Sequence, residues 1–280
     1  MTIDIICPLY NASNYIENLY KSLLLQKNVK INEIEFLLTE SKDDSEEILK
    51  DNNISYELIQ KEEFSHSLTR EKAALKSNAD ILCFVSQDIV IEDELWLYKL
   101  TKNIVNGNAE AAYSRQITKY NNIEKYTREK NYPDKSLIKS KKDLDNLGLY
   151  TFFFSDAASC VRTDVFKKLN GYDNKNLPIN EDMYLAYKLI MNDYRIAYEA
   201  DSVVLHSHNF KLKEIYDRYK LTGKFFKENS YIDKYGTNGS GASLAKYILK
   251  RAFSEFNIKV ILRWPFDMAA RFIGMKVGKR

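Results

Sequence analysis

Short apolar runs alternate with segments of helical periodicity over the first 117 residues, and this alternation constrains the fold more than any other feature. Apolar runs long enough for one buried strand lie at 3–7, 34–38, 54–59 and 81–85. The first helical segment has Asn14 as a candidate N-cap, with Glu17 three residues later as its capping-box partner. Because only a few residues connect each strand to each helix, we expect an α/β fold whose mostly parallel sheet carries helices on both faces.

The run at 81–85 is followed by a polar pair, Gln87 and Asp88. In open α/β sheets, ligands bind just outside the carboxyl ends of the strands. A lone carboxylate there is suited to hold a divalent cation against a diphosphate, although a solvated loop aspartate gives the same pattern. Other polar clusters follow or flank strand ends at 10–11, 40–44 and 66–70. Together they predict a single ligand-binding edge of the sheet.

The sequence contains no glycine-rich dinucleotide fingerprint and no P-loop. A nucleotide bound at this edge would therefore rely on loop side chains and a metal ion. The segment 246–280 holds nine Lys/Arg and two Asp/Glu, so the rest of the chain is net acidic within a total charge of +3. An acid-rich ligand edge disfavours a nucleic-acid partner.

The remainder of the chain continues the strand and helix pattern less regularly. Further strands are expected at 111–117, 151–161, 196–198 and 203–205. Thr163 is expected to cap a short helix. Residues 119–148 have little periodicity, so they form either an element that covers the ligand edge or a solvated surface excursion.

Two further polar groups stand out in the second half. Glu181 and Asp182 begin a strongly helical run, where the helix dipole stabilises carboxylates and where one of them could also accept a proton from a substrate hydroxyl. His206 and His208 follow a predicted strand. A lone histidine is more often structural, but a second imidazole two residues away favours a metal or phosphate role.

The cysteines and the amino terminus indicate a reducing compartment. Cys7, Cys83 and Cys160 form no C-x-x-C pair, so we expect small core residues. The chain starts directly in a strand without a basic, apolar secretory signal, and it has no apolar run of about 18 residues. A cytoplasmic location is therefore expected.

The carboxyl-terminal segment combines apolar and basic residues. A helix is expected at 243–256, and Pro265 is expected to divide 258–275 into two short helices. This composition suits the plane of an anionic membrane surface on the inner face of the cell membrane. A helical cap packed on the body, or a homodimer contact, would have the same amphipathic pattern.

Taken in chain order, the polar motifs resemble those of the family-2 glycosyltransferases, and within them the bacterial rhamnosyltransferase-like group. The motifs that carry the resemblance are Pro8-Leu9-Tyr10-Asn11, the segment Glu40 to Asp44, Phe64-Ser65-His66 with Thr69-Arg70, Ser86-Gln87-Asp88, Arg115-Gln116, Glu181-Asp182, His206-Ser207-His208 and the basic ending Gly274 to Arg280. Each motif is short, but all of them follow the family's order across nearly the whole chain.

The resemblance implies a GT-A type, Rossmann-like glycosyltransferase domain over 1–230, with a nucleotide-binding half at about 1–117 and an acceptor half at about 118–230. It leaves 231–280 as a basic amphipathic helical tail. It also implies an inverting transfer that uses Mn²⁺ or Mg²⁺ as cofactor.

The resemblance also implies roles for individual residues. Asp182 is the expected catalytic base, and Glu181 is expected to orient sugar hydroxyls. The residues expected to bind the donor are Pro8, Tyr10, Asn11, Glu40, Asp44, His66, Arg70, Gln87, Asp88 and Arg115. The expected metal ligands are Asp88, His206 and His208.

The chain departs from the family pattern at several positions. Glu40 replaces the usual Asp, Lys42 the usual Gly, and Glu71 the usual Asn after Arg70. Only Asp88 remains of the D-x-D metal-binding pair.

Three functions are therefore compared. The first is transfer of a sugar, expected to be L-rhamnose from dTDP-rhamnose, to a cell-surface glycan or lipid-linked acceptor. The second is a transferase of the same family that uses a UDP-hexose. The third is a non-catalytic binder of sugar nucleotides or glycans.

Overall fold

The apolar run Ile81–Val85 forms a strand in the interior of one eight-stranded sheet in the computed structural model, which describes residues 1–236 and 238–280. All five of its residues are buried. A strand that is covered on both faces has a continuous apolar sequence, whereas a half-exposed strand alternates. The strands in chain order are β1 (Thr2–Leu9), β2 (Lys30–Thr39), β3 (Tyr56–Ile59), β4 (Ile81–Val85), β5 (Ala111–Ile117), β6 (Leu137–Lys139), β7 (Ala158–Arg162) and β8 (Ile196–Leu205).

The sheet has the order β3-β2-β1-β4-β7-β5-β8-β6. In the described part of the chain, all strands except β6 and β7 run in one direction. The predicted α/β class with a mostly parallel sheet is therefore confirmed. Because β7 is antiparallel to both β4 and β5, its amino end meets their carboxyl ends at the same edge of the sheet.

Helices cover both faces of the sheet, as predicted. They are α1 (Ile16–Leu24), α2 (Ser45–Asp51), α3 (His66–Lys76), α4 (Trp96–Val105), α5 (Ile123–Asn131), α6 (Leu144–Leu147), α7 (Thr163–Lys168), α8 (Glu181–Met191), α9 (Leu212–Glu228), α10 (Ser230–Asp233), α11 (Asn238–Ser254) and α12 (Ile258–Gly278), with 3₁₀ turns at Lys141–Asp143 and Gly148–Phe152. One apolar cluster joins the sheet to α1 and α4 through Leu19 and Leu100, and another joins it to α3 and α8 through Ala74 and Leu185. The free, buried cysteines are core residues, as expected: Cys7, Cys83 and Cys160.

Two predicted helix caps are wrong. The backbone amides of Tyr15 and Ile16 donate to the carbonyl of Ala12, so a turn precedes α1 and the helix begins at Ile16. Asn14 therefore lies outside the N-cap position, which Tyr15 occupies without a side-chain hydrogen bond. Thr163 is the first residue of α7 rather than its cap. In both cases the backbone path, and not the available side-chain oxygen, sets the helix start.

Two other segments are more regular than predicted. The stretch 119–148 contains α5 and the edge strand β6, which pairs antiparallel with β8. β8 is one strand rather than two short ones, because it continues through an irregularity in its register with β5 between Ser114 and Arg115. The polar residues in the middle of β8 led to the prediction of two strands, but the pairing with β5 continues on both sides of them.

The tail packs on the body along one side, although Thr237 within its predicted range 231–280 lies outside the described residues. Ile248 and Ala252 of α11 pack against Tyr126 of α5. The predicted division at Pro265 is wrong, since α12 runs unbroken from Ile258 to Gly278. An interior proline costs about 3 kcal/mol in a helix. Contacts with α9 along α12 offset this cost.

The helices α9 and α12 approach each other closely at glycines. A Cβ atom at Gly274 would lie 2.5 Å from the backbone oxygen of Tyr216 and 3.0 Å from the Cβ of Tyr219. A Cβ at Gly223 would lie 2.9 Å from the Cα of Gly278. Only glycine permits backbones to come this near. The helix α12 therefore packs against α9 through close backbone contacts.

We predict that Gly274→Ala lowers the free energy of unfolding by about 1–3 kcal/mol, because the added methyl group forces α12 away from α9. Gly241→Ala is the matched control, since a Cβ at Gly241 of α11 meets no atom within 4 Å. That change should leave stability equal or raise it by up to about 1 kcal/mol through helix propensity. Urea unfolding measures both variants. Equal stability of the two would contradict the close packing described here.

Candidate active site

A cleft of about 680 Å³ opens at the predicted ligand edge of the sheet. Its walls come from the loops after β1 and β4, the amino end of β7, the first turn of α8 and the segment after β8. The predicted site residues that line it are Pro8, Tyr10, His66, Arg70, Gln87, Asp88, Glu181, Asp182, His206 and His208. The proposed metal-binding carboxylate and the proposed base thus share one cleft.

Four residues predicted to bind the donor lie outside this lining: Asn11, Glu40, Asp44 and Arg115. Asn11 instead accepts a hydrogen bond on Oδ1 from the amide of Lys42 at 3.1 Å, which joins the loop after β1 to the loop after β2. Residues 119–148, all of them described, also contribute nothing to the lining. The segment is instead an integral part of the body, because β6 extends the sheet and the Tyr126 side chain of α5 is buried.

Within the acidic segment after β2, Asp43 stabilises the loops at the start of α2 through hydrogen bonds. Its carboxylate accepts hydrogen bonds from the amide of Ser13 at 3.0 Å and from the hydroxyl of Ser45 at 2.5 Å. Burial alone raises the pKa of Asp43, but these hydrogen bonds outweigh burial and hold the pKa at about 2. The acidic segment after β2 therefore shapes the loops beside the cleft.

Asp88, His206 and His208 form a cluster of three potential metal ligands. His206 Nε2 lies 3.4 Å from Asp88 Oδ1, and His208 Nδ1 lies 3.7 Å from Asp88 Oδ2. One ligand atom from each residue lies within 4.8 Å of the other two. The backbone pairing of Val90 with Leu205 holds the loop after β4 against the end of β8, so the sheet brings the three side chains together.

Gln116, at the end of β5, determines which nitrogen of His206 carries the proton. The amide nitrogen of Gln116 donates to the hydroxyl of Ser155 at 2.8 Å, and Oε1 accepts from Arg128. Oε1 is therefore an acceptor, and it receives the Nδ1–H of His206 at 2.8 Å. The lone pair of the neutral ring then lies on Nε2, facing the carboxylate of Asp88. Two such acceptors repel unless a cation or a proton lies between them, so this arrangement fits a divalent metal ion.

His208 and its neighbours form the rim of the cleft. Burial, followed by the neighbouring imidazole of His206, lowers the pKa of His208 to about 4, so its ring is neutral at pH 7 and able to bind a metal. The ring stacks on Phe210 with 4.7 Å between centroids. The guanidinium of Arg218 lies 5.0 Å from the Phe210 ring and lines the cleft, where it contributes positive charge.

A second group of charges surrounds the buried Arg70. Its guanidinium donates to the carbonyl of His66 at 2.8 Å and to Glu181 Oε1 at 3.4 Å. The buried carboxylate of Asp156 lies in the same group and accepts the hydroxyl of Tyr172 at 2.6 Å. Burial raises the pKa of Asp156. The charge of Arg70 opposes this shift, and the charge of Glu181 adds to it. One arginine thus compensates several carboxylates.

Asp182 lies in the first turn of α8, where its Oδ1 accepts from the amide of Met183 at 2.7 Å. Burial, followed by the charges of Glu181 and Asp156, raises its pKa well above the ordinary value for an aspartate. A carboxylate with a raised pKa is a stronger base once it is ionised. The helix dipole, the alternative explanation for acids at this position, stabilises the ionised form and opposes this shift.

Sequence reasoning missed Asp156, Gln116 and Arg218. Asp156 is the one charged residue in the run 151–161, and that signal could have identified it. Gln116 was recognised only as a partner of Arg115, since strand alternation does not reveal which of two neighbours faces the site. Arg218 lies within a helix distant in sequence from the other site residues, and no local pattern singles it out.

Solved structures of glycosyltransferases share this fold. The mannosyltransferase PcManGT from Pyrobaculum calidifontis, in complex with GDP-Man and Mn²⁺, matches with a TM-score of 0.63 at 13% identity, over 99% of this chain and 86% of that one. TarS of S. aureus, residues 1–349 in complex with UDP-GlcNAc, matches with a TM-score of 0.57 at 14% identity, over 100% of this chain and 90% of that one. The fold is therefore of the GT-A type.

Sequence comparison identifies more similar relatives. O-antigen chain rhamnosyltransferase RfbN of Salmonella typhimurium is 32% identical over 289 residues, covering 100% of this chain and 90% of RfbN. O-antigen chain rhamnosyltransferase WbaN of Salmonella anatum is 32% identical over 287 residues, covering 99% of this chain and 89% of WbaN. The family model described as glycosyl transferase family 2 matches residues 4–169, more than half of the chain. The chain therefore belongs to glycosyl transferase family 2.

Proposed function

We propose that this chain is a metal-dependent, inverting glycosyltransferase that moves L-rhamnose from dTDP-rhamnose to a glycan or lipid-linked acceptor of the cell envelope. The observation that carries the proposal is that the cluster at Asp88 and the candidate base Asp182 line the same cleft. The names of the two relatives, both O-antigen chain rhamnosyltransferases, support rhamnose as the transferred sugar. Its proposed location is the cytoplasm, at the inner face of the cell membrane.

In the proposed reaction, Asp182 accepts the proton of the acceptor hydroxyl. That oxygen forms a bond to the anomeric carbon from the side opposite the nucleotide, the bond from that carbon to the leaving phosphate oxygen breaks, and the configuration inverts. Glu181, held beside Asp182 by its contact with Arg70, accepts hydrogen bonds from sugar hydroxyls and orients them. Arg218 lines the cleft and is available to the phosphates of the donor.

Asp88, His206 and His208 are the residues that would hold the metal. Such an ion neutralises the negative charge that develops on a leaving diphosphate. Imidazole nitrogens favour Mn²⁺ over Mg²⁺, which prefers oxygen ligands, so Mn²⁺ is the proposed cofactor. Gln116 contacts Nδ1 of His206 and thereby orients the His206 ring, so that Nε2 faces Asp88.

Two alternatives make different predictions. A transferase that uses a UDP-hexose would have the same Asp88 and Asp182 arrangement and would differ only in the base and sugar it selects. A non-catalytic binder would have no need for a carboxylate whose burial raises its pKa beside the cleft, as at Asp182. The structure therefore favours an enzyme over a binder.

The donor is tested by isothermal titration calorimetry of dTDP and UDP in the presence of Mn²⁺. We expect dTDP to bind more tightly by about fourfold or more, because burying the thymine methyl group contributes about 0.8 kcal/mol. Tighter binding of UDP would favour the UDP-hexose alternative. If neither nucleotide binds, the proposal of a nucleotide-sugar transferase fails.

The metal site is tested by titrating Mn²⁺ into the wild type and four variants, one of which is a control. Asp88→Asn and His206→Ala should abolish measurable binding, because each removes a ligand. Gln116→Ala should weaken binding by about tenfold to a hundredfold, as loss of a ligand's supporting hydrogen bond does. His66→Ala is the control, since it replaces the one histidine outside the cluster. Wild-type binding by Asp88→Asn would rule out this site.

The base is tested by kinetics. Asp182→Asn should lower kcat by about a hundredfold to ten-thousandfold without changing dTDP affinity. In the wild type, the rate should rise with pH, because Asp182 acts only when it is ionised. The midpoint of this rise, the acidic limb of the pH profile, should lie above the ordinary aspartate pKa of about 3.9, because the pKa of Asp182 is raised.

A second variant tests the cause of that pKa shift. Glu181→Gln should move the acidic limb to lower pH, because it removes the neighbouring negative charge that raises the pKa of Asp182. Glu47→Gln, an exposed carboxylate on α2, is the control and should leave the limb unchanged. A limb that stays in place in Glu181→Gln would mean that another group controls the rate.

A further inference from the structure

The exposed side of α12 is apolar. Its large side chains with at least half of their surface exposed are Ile258, Leu262, Phe266, Phe272 and Ile273, with exposures between 51% and 68%. Their spacing places them along one side of the helix. We call these five residues the apolar face of α12. An exposed stripe of this kind marks an interaction surface when it is contiguous.

The buried side of the same helix contains both apolar residues, such as Val260, and an ion network. Asp267 is fully buried and Arg271 nearly so, and they form an ion pair with 2.5 Å between Nε and Oδ1. Arg271 also donates to the hydroxyl of Tyr219 at 2.7 Å and lies 3.3 Å from Glu124. A surface helix of a soluble protein normally has its apolar side inward. The apolar part of the buried side of α12 follows this rule, but the helix also carries the outward apolar face, and the ion network fixes which side is turned inward.

Basic residues flank the apolar face at both ends. Lys259 lies at its start and Lys276 at its end, both exposed. Among the described residues, no carboxylate lies within 4.0 Å of either ammonium group. The two acidic residues of the segment are engaged elsewhere, since Glu255 pairs with Arg251 and Asp267 with Arg271. The surface therefore presents apolar side chains between unpaired positive charges.

This charge pattern selects the partner. If a second copy of the chain covered the face, a parallel arrangement would bring Lys259 against Lys259, and an antiparallel one would bring Lys259 against Lys276. Both arrangements set like charges together without a compensating acid, which is unfavourable. An anionic lipid surface satisfies both features, because acyl chains accept the apolar side chains and headgroups pair with the lysines.

We propose that the apolar face of α12 lies in the interfacial plane of an anionic bilayer. No helix in the described part of the chain is apolar enough over a sufficient length to cross a membrane. Phe253 and Phe256, exposed by 57% and 86%, extend the surface from the end of α11.

The membrane-facing helix is also close to the cleft. Arg263 of α12 donates to the carbonyl of Phe210, whose ring stacks on His208 at the rim. A bilayer contact along α12 therefore brings the cleft near the membrane surface, where a lipid-linked acceptor would be held. This last step rests on the proposed function, whereas the membrane contact itself does not.

Co-sedimentation of the full chain with vesicles tests the contact, without donor or acceptor. The wild type should bind vesicles of phosphatidylcholine with phosphatidylglycerol, and binding should weaken as salt rises. Phe266→Ser with Phe272→Ser should bind at least about tenfold more weakly, because these rings supply apolar contact. Leu24→Ser with Val105→Ser, exposed apolar residues on α1 and α4, is the matched control and should bind as the wild type does.

The charge requirement is tested by Lys259→Gln with Lys276→Gln. This variant should bind anionic vesicles about 25-fold more weakly, since each basic side chain near such a surface contributes about fivefold. Failure of the wild type to bind vesicles, or unchanged binding by the phenylalanine variant, would overturn the proposal. A lipid-independent dimer that the phenylalanine variant dissociates would assign the face to a second copy.

Vesicle binding and catalysis are separable in the same experiment. Asp182→Asn, with the proposed base removed, should bind vesicles as tightly as the wild type. If the membrane proposal fails, the transfer reaction with a soluble acceptor is unaffected. If the transferase proposal fails, the vesicle result stands.

Discussion

The contact between the carboxylate of Asp88 and the ring of His206 is the interaction on which the site depends. It exists because the loop after β4 is paired to the end of β8 through Val90 and Leu205, although three strands and five α-helices lie between them in the chain. Gln116 then turns the imidazole so that Nε2, and not Nδ1, faces the carboxylate. A sheet whose strand ends meet at one edge thus produces a candidate cation site that no single segment contains.

The electrostatics of the cleft separate two kinds of carboxylate. Asp88 lies beside two imidazoles that can bind a cation together with it, whereas Asp182 lies beside Glu181 and Asp156. Burial and the neighbouring like charges raise the pKa of Asp182, and the buried guanidinium of Arg70 only partly opposes them. Two aspartates in one cleft are therefore suited to different tasks, one to hold a cation and the other to take a proton.

The sequence was sufficient for the elements that depend on local periodicity and insufficient for those that depend on long-range contacts. A buried strand before Asp88 and a helix starting at Glu181 both follow from short apolar patterns, and the family motifs identify the polar residues beside them. Asp156 reaches the site only because β7 is antiparallel, which no local signal reveals. Pro265 is tolerated in α12 because α9 supports the helix, and that contact is likewise invisible to local rules.

The two proposals are linked: the body is proposed to bind a nucleotide sugar, and α12 is proposed to hold the cleft at a membrane surface where an acceptor can be found. The most direct test of the central claim is diffraction from crystals grown with Mn²⁺ and dTDP, with data collected at the manganese absorption edge. The account predicts an anomalous peak bonded to Asp88 and Nε2 of His206, with the diphosphate in the cleft that Asp182 lines. A manganese peak away from Asp88, or a nucleotide bound outside this cleft, would contradict it.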